Sequence, residues 1–178
     1  MTPRVLLLAA GHGRRAGGPK IWREHEGRPM IEAQLEFLKS VTELARVAVS
    51  IQEPWRERCE TISPEVKWVS VDPDASPLAS LQALIRAARV ERSFIYHVDM
   101  PVFDASIFAK LAESIVDAAP SHQERRGHPV LLTSTTLLDI LQLKPDLDRL
   151  DEYLRRKGTV SVAVDSDLIF KNDNGVAA

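Results

Sequence analysis

An α/β fold of three layers, a mostly parallel sheet between two layers of helices, follows from three observations on the sequence. Short runs of β-type apolar residues alternate along the chain with segments of helical periodicity, the order that builds right-handed βαβ units. The first run, Val5-Leu6-Leu7-Leu8-Ala9, is apolar without alternation, as a central strand covered on both faces must be. Three stretches of unusual chemistry fall just after apolar runs or turns: the glycines from Gly11, the turn at Ser76 and the acid Asp99. In open α/β sheets that is where ligands bind, beyond the carboxyl ends of the strands.

Taken in order, residues 4–9 form the first strand and residues 10–27 are too rich in glycine and charge for regular structure. Pro29 suits the first turn of a helix, and Ile31, Leu35, Leu38 and Val41 keep a helical spacing behind it. Strands are expected at residues 46–51 and 66–71, with a short helix at 54–59 between them. Asp72-Pro73-Asp74-Ala75-Ser76-Pro77 is turn chemistry, and Leu78, Leu81, Leu84, Ile85 and Ala88 form one face of a helix over 78–90. A fourth strand spans 93–98 and ends at Asp99-Met100-Pro101. Asp104 then caps a helix running to about residue 118. Residues 120–127 read as a polar loop, 130–132 as a strand, 134–143 and 147–157 as helices, and 160–164 and 168–170 as short strands before a polar tail. No repeat or low-complexity tract divides the chain, so residues 1–178 are expected to form a single domain.

Composition limits the function classes. A length of 178 residues, 44% hydrophobic and 27% charged, suits one soluble globular core. A net charge of −2 supplies no basic field, so nucleic acid is not expected as a partner. No apolar run approaches the roughly 20 residues of a membrane span, and the first residues lack the pattern of a signal peptide. Cys59, the one cysteine, is expected to be a buried small hydrophobe in a reducing, cytoplasmic setting.

Gly11-His12-Gly13-Arg14-Arg15-Ala16 matches the dinucleotide fingerprint formally, but Gly17, Gly18 and Pro19 break the helix that should follow. Gly13 and Gly18 have P-loop spacing, yet Pro19 precedes Lys20 and no Ser or Thr follows to hold magnesium. The remaining scheme is a long loop that wraps a triphosphate with backbone amides and with the cations Arg15 and Lys20. A solvated charge run around a loop is the plain alternative. The pattern Leu8-Ala9-Ala10-Gly11-x-Gly13-x-Arg15-x-Gly17-x-Pro19-Lys20 resembles the signature of the MobA-like nucleotidyltransferases. This group includes the molybdenum-cofactor cytidylyl- and guanylyltransferases and the sugar-phosphate and isoprenoid cytidylyltransferases. Ala16 stands where the family usually has methionine.

The resemblance implies a Rossmann-like, mostly parallel sheet of the nucleotide-diphospho-sugar transferase (GT-A-like) type. It also extends along the chain. Gly27-Arg28-Pro29-Met30 resembles the family's G-x-P-L/M segment. Ser76-Pro77-Leu78-Ala79-Ser80-Leu81 resembles the segment beside base and ribose, with Ser76 in place of glycine. Asp99-Met100-Pro101 resembles the element whose aspartate holds magnesium. Arg125-Arg126-Gly127-His128-Pro129-Val130-Leu131 is similar to the acceptor segment of the molybdopterin cytidylyltransferase branch, and Asn172 and Asn174 fall in a tail resembling the family's N-I-N-T-P element.

By this resemblance the catalytic set is Arg15, Lys20 and Asp99. The nucleotide set is Ala9, Ala10, Gly11, Gly13, Arg15, Lys20, Ser76, Ser80 and Asp99, and the acceptor set is Arg126, Gly127 and His128. Asp99 and Asn174 are the Mg²⁺ candidates. Ser76 and Ser80 have a plain reading as turn and cap residues, and His97 as a packed strand histidine. The implied reaction moves a nucleoside monophosphate from a nucleoside triphosphate to a small phosphorylated acceptor, releasing pyrophosphate. Ala9-Ala10-Gly11 favours CTP over GTP, and molybdopterin cofactor is the first acceptor. Transfer to a sugar phosphate or another phosphorylated alcohol, and a nucleotide-binding regulatory domain without turnover, are the alternatives. The chain is expected to act as a monomer or homodimer.

Overall fold

The computed structural model describes residues 2–13 and 17–172. Its centre is an eight-stranded sheet with the order β10-β7-β9-β6-β1-β4-β5, and β8 pairs with β7 off this path. The strands are β1 (Arg4–Leu8), β4 (Val47–Ile51), β5 (Lys67–Ser70), β6 (Ser93–His97), β7 (Ala118–His122), β8 (Arg125–Arg126), β9 (Val130–Leu132) and β10 (Val160–Ala163). β1 lies parallel to both β4 and β6, with Leu8 level with Ser50 on one side and His97 on the other. β9 runs against β6 and β7, while β10 is parallel to β7. The sheet is therefore mostly parallel. A small hairpin, β2 (Glu24–His25) with β3 (Arg28–Pro29), stands apart from it.

Alternation along β1 divides the core in two. Val5, Leu7 and Ala9 pack with α1 (Met30–Leu38), α2 (Arg56–Ile62) and α4 (Ala105–Ala112), through Ile31, Leu35, Cys59 and Phe108. Leu6 and Leu8 pack with α3 (Pro77–Ala87), α5 (Ser134–Ile140) and α6 (Leu150–Lys157), through Leu81, Leu84 and Ile140. Each such fully buried Leu or Ile contributes about 1.5–3 kcal/mol through removal of apolar surface from water. This is the three-layer sandwich with a mostly parallel sheet that the sequence predicts. No helix among the described residues is long and apolar enough to cross a membrane.

Four expectations about local structure are corrected. The helix from Asp104 stops at Ala112, because Arg92 donates to the carbonyls of Ala112 and Ser114 and holds the chain end there. Residues 118–122, expected first as helix and then as loop, are the strand β7 instead. Ala, Pro and Ser carry no strand propensity, and pairing with β10 and β9 overrides them. Residues 125–126 are paired as well, joined to β7 through Gln123 and Glu124. Both have positive φ, 49° and 64°, without the Asn-Gly type of sequence that announces such a hairpin turn. Asp167–Phe170 is a 3-10 helix rather than a strand, with the Ser166 hydroxyl accepting from the Leu168 N–H at 3.3 Å.

Candidate active site

The carboxyl ends of β1, β4 and β6 diverge into three segments tied together by side chains of β4 and its continuation. The Ala9 N–H donates to Ser50 Oγ at 3.1 Å, and Gln52 Nε2 donates to the Ala10 carbonyl at 2.9 Å. The Val98 N–H reaches back to the Leu8 carbonyl at 3.0 Å. Beyond Gly11 the glycine loop closes on itself, with the Gly18 N–H on the Gly13 carbonyl at 3.2 Å. At Gly13, φ is +62°, and a Cβ there would lie 1.8 Å from the Gly18 carbonyl oxygen, so only glycine fits. The chain then turns through a short 3-10 helix, Lys20–Trp22, that brings Lys20 back toward the sheet.

Lys20 Nζ is paired with the Asp99 carboxylate, 79 residues away in sequence. Asp99 is buried. The pair sits in a cavity of about 350 Å³, within the usual range for a small-molecule site. Ala9, Ala10, Gly11 and Gly13 line one side, Pro77 and Ser80 from the start of α3 another, and His97, Val98 and Met100 the floor around Asp99. A glycine loop and a lysine suit an anionic ligand. Gln34 on α1 fixes the Asp99 segment from below, donating to the carbonyls of Val98 and Met100 at 2.9 and 3.1 Å.

Two histidines flank this centre. Burial pushes the His97 imidazole below its ordinary pKa, Asp99 counters and Lys20 adds to the shift. Burial lowers His128 to about 4, with His97 adding to the effect and Asp99 opposing it. His128 is accordingly a neutral ring at pH 7. Its Nδ1 is buried and has no hydrogen-bond partner among the described residues.

The loop before β9 is held to the C-terminal turn. The His128 N–H donates to the Ile169 carbonyl at 2.9 Å. Gly127 passes so close that a Cβ would lie 2.3 Å from that same oxygen. This contact brings the chain after Phe170 across the end of the sheet, and Asn172 lines the cavity with Lys20 and Asp99.

Of the nucleotide set, Ala9, Ala10, Gly11, Gly13, Lys20, Ser80 and Asp99 thus line one cavity. Ser76 is instead the cap of α3: its Oγ accepts from the Ala79 N–H at 3.2 Å and donates to the Pro145 carbonyl at 3.3 Å. Of the acceptor set, His128 lies near the centre. Gly127 makes the backbone contact just described, and Arg126 is exposed with its Nε on Ser161 Oγ at 2.8 Å. Arg15 and Asn174 fall outside the described residues. Ser50, Asp72 and His97 also line the cavity and were not singled out for the site by sequence. Strand register gives a signal for two of them, since Leu8 is level with both Ser50 and His97.

Residues 5–160 match the family model of the MobA-like NTP transferase domain. The chain belongs to the MobA-like NTP transferase family. It is 31% identical over 131 residues to the 2-C-methyl-D-erythritol 4-phosphate cytidylyltransferase of Cereibacter sphaeroides, covering 68% of this chain and 58% of that protein. It is 30% identical over 91 residues to the molybdenum cofactor cytidylyltransferase of Escherichia coli, covering 50% of this chain and 47% of that protein. The chain therefore spans about half the length of these curated relatives. Among solved structures, the Mycobacterium sp. strain JC1 homolog of Mycobacterium tuberculosis Rv0371c superposes with a TM-score of 0.76 at 21% identity, over 96% of this chain and 89% of that one. The family match contains the glycine loop, Lys20, Asp99 and His128, and ends before Asn172.

Proposed function

We propose that this MobA-like chain transfers CMP from CTP to a small phosphorylated acceptor and releases pyrophosphate. The observation that carries the reading is the meeting of Lys20 and Asp99 in a cavity lined by the glycine loop. CTP is favoured by the Ala9-Ala10-Gly11 sequence and by two relatives that are both cytidylyltransferases. Molybdenum cofactor is the first acceptor, motivated by the Gly127-His128-Pro129 segment. A phosphorylated polyol such as 2-C-methyl-D-erythritol 4-phosphate is the second reading, motivated by the relative at 31% identity.

In such a transfer an oxygen of the acceptor phosphate forms a bond to the α-phosphorus as the bond to the β-phosphate breaks, and pyrophosphate departs with the bonding pair. A phosphate monoester is already largely ionised at pH 7, so no side chain has to remove a proton. The backbone amides from Ala10 to Gly13 would hold the nucleotide, and Lys20 would neutralise its phosphates as a point charge. Arg15, the signature arginine, would add a planar donor fork. His128, kept neutral by burial, would serve as a hydrogen-bonding wall and not as a cation, and burial disfavours the cation at His97 as well.

The residues fit a hard divalent cation. The buried carboxylate of Asp99 and the amide oxygen of Asn172 are the oxygen donors that Mg²⁺ takes, and both line the same cavity. Bound Mg²⁺ would offset the negative charge that grows on the phosphates. Asn174 remains a further candidate for that cation.

The test is pyrophosphate release with each of CTP, GTP, ATP and UTP against molybdenum cofactor and 2-C-methyl-D-erythritol 4-phosphate. Lys20→Ala and Asp99→Ala are each expected to lower the rate by about 10²–10³-fold, the usual loss of one preorganised charge. Full activity in either variant refutes the mechanism. Stabilisation by CTP in a thermal shift without any product supports the regulatory nucleotide-binding alternative.

A further inference from the structure

Gln34 is a polar residue in an apolar place. It lies in the middle of α1, is 0% exposed, and has Met30, Ile31, Leu35 and Leu38 buried around it on the same helix. An amide buried there without partners would cost free energy, and an apolar residue would pack as well. Both of its donors and one of its two acceptor sites are spent on one short stretch of chain. Nε2 gives its two protons to the carbonyls of Val98 and Met100, and Oε1 accepts from the Tyr96 hydroxyl at 3.2 Å. The two carbonyls lock the amide in this sense, since the flipped group would set its oxygen against them, and the Tyr96 hydroxyl holds Oε1 in place.

Those two carbonyls flank Asp99. The Val98 carbonyl belongs to the peptide plane just before Asp99 and the Met100 carbonyl to the second plane after it, so the contacts from α1 bracket the acid. The plane between, which carries the Met100 N–H, is held by the His97 carbonyl, and together these fix the direction in which the Asp99 side chain leaves the backbone. The Met100 N–H on the His97 carbonyl at 3.0 Å and the Val102 N–H on the Met100 carbonyl at 2.8 Å complete the turn. α1 also starts directly after the β2–β3 hairpin that follows the glycine loop, where the Met30 N–H donates to the Arg23 carbonyl at 2.7 Å. One side chain thus connects the element after the phosphate-wrapping loop with the acid at the opposite side of the cavity.

We infer that Gln34 is the positioning residue that presents the Asp99 carboxylate to a divalent cation. This rests on the nucleotidyl-transfer reading of the site. Groups that orient metal ligands without touching the metal typically change metal affinity or activity by roughly 10–100-fold when removed. A merely structural glutamine would change the melting temperature and leave cation affinity alone.

The experiment uses the full chain and Gln34→Met, which keeps length and removes both donors and the acceptor. Mn²⁺ is titrated at fixed CTP, and protein-held Mn²⁺ is read by water-proton relaxation enhancement. Half-saturating Mg²⁺ is measured in parallel in the transfer assay, and amide hydrogen exchange is followed in cation-free protein for the peptide containing residues 96–102. Mn²⁺ binding is expected to weaken roughly tenfold or more, with transfer recovered by raising Mg²⁺ and with faster exchange in that peptide. A Gln34→Met protein that is less stable but holds Mn²⁺ within twofold of the wild type overturns the inference. If Gln34→Met does not fold, Tyr96→Phe, which removes the donor to Oε1 and loosens the amide while both carbonyl contacts remain, is expected to weaken Mn²⁺ less and in the same direction. No change in Tyr96→Phe then overturns it. An active wild type with unchanged variants sinks the role of Gln34 alone. A wild type that neither holds Mn²⁺ with CTP nor releases pyrophosphate sinks the transferase reading and this inference with it.

Discussion

Replacing Gly127 with alanine is expected to destabilise the protein by about 2–4 kcal/mol, as overpacking plus one lost backbone hydrogen bond. The new methyl would lie 2.3 Å from the Ile169 carbonyl oxygen and 2.7 Å from Ile169 Cβ and Cγ1. None of these can step aside cheaply. The oxygen belongs to the backbone of a 3-10 helix, and Ile169 is 1% exposed within the core. The two segments must therefore separate, and the bond from the His128 N–H to Ile169 is strained or lost. Urea unfolding at pH 7 reads the effect: with a slope of about 1–3 kcal/mol per molar urea, the midpoint should fall by about 1–2 M. The same variant should lose part of the thermal stabilisation given by CTP, because Asn172 follows Ile169 by three residues into the cavity. A midpoint within experimental error of the wild type would refute the reasoning. So would complete rescue by adding Ile169→Ala, which would show that the side chain and not the carbonyl is the obstacle.

His128 should make stability depend on pH. Its folded pKa near 4 lies below the ordinary 6.5, so the unfolded chain takes up the proton first as the pH falls. Its contribution is complete above 6.5 and is lost on going down toward 4, on the order of 2 kcal/mol by pH 5. His128→Gln should flatten the change in urea midpoint between pH 7.5 and pH 5, and an unaltered change would contradict this. Burial raises the Cys59 thiol to about 11 and leaves it 0% exposed. It should therefore react with a thiol-specific disulfide reagent at pH 8 only on unfolding. Rapid reaction of the native protein would show that α2 opens.

Much of the fold was legible because its signals are local. The apolar run before Gly11, the helical spacing of Leu78, Leu81, Leu84 and Ile85, and the cap at Asp104 each fix an element from a few neighbouring residues. The strand β7 was not legible, since Ala118, Ala119 and Pro120 become a strand only by pairing with distant segments. The same holds for the turn at Gln123 and Glu124, where two ordinary residues accept positive φ because β7 and β8 are already paired. In the candidate site, Lys20 and Asp99 could be named from their motifs. Ser50 and His97 carry no motif and enter only because the register sets them level with Leu8.

The sequence by itself determined that glycines, a lysine and a strand-end acid would lie beyond the carboxyl ends of a parallel sheet, because strand–helix alternation and motif order are properties of neighbouring residues. Tertiary structure alone decided that Lys20 meets Asp99, that Gln34 grips both sides of that acid, and that Gly127 against Ile169 carries Asn172 into the cavity. These contacts join residues tens of positions apart. They exist because close packing of the layers brings donors and acceptors of distant segments together.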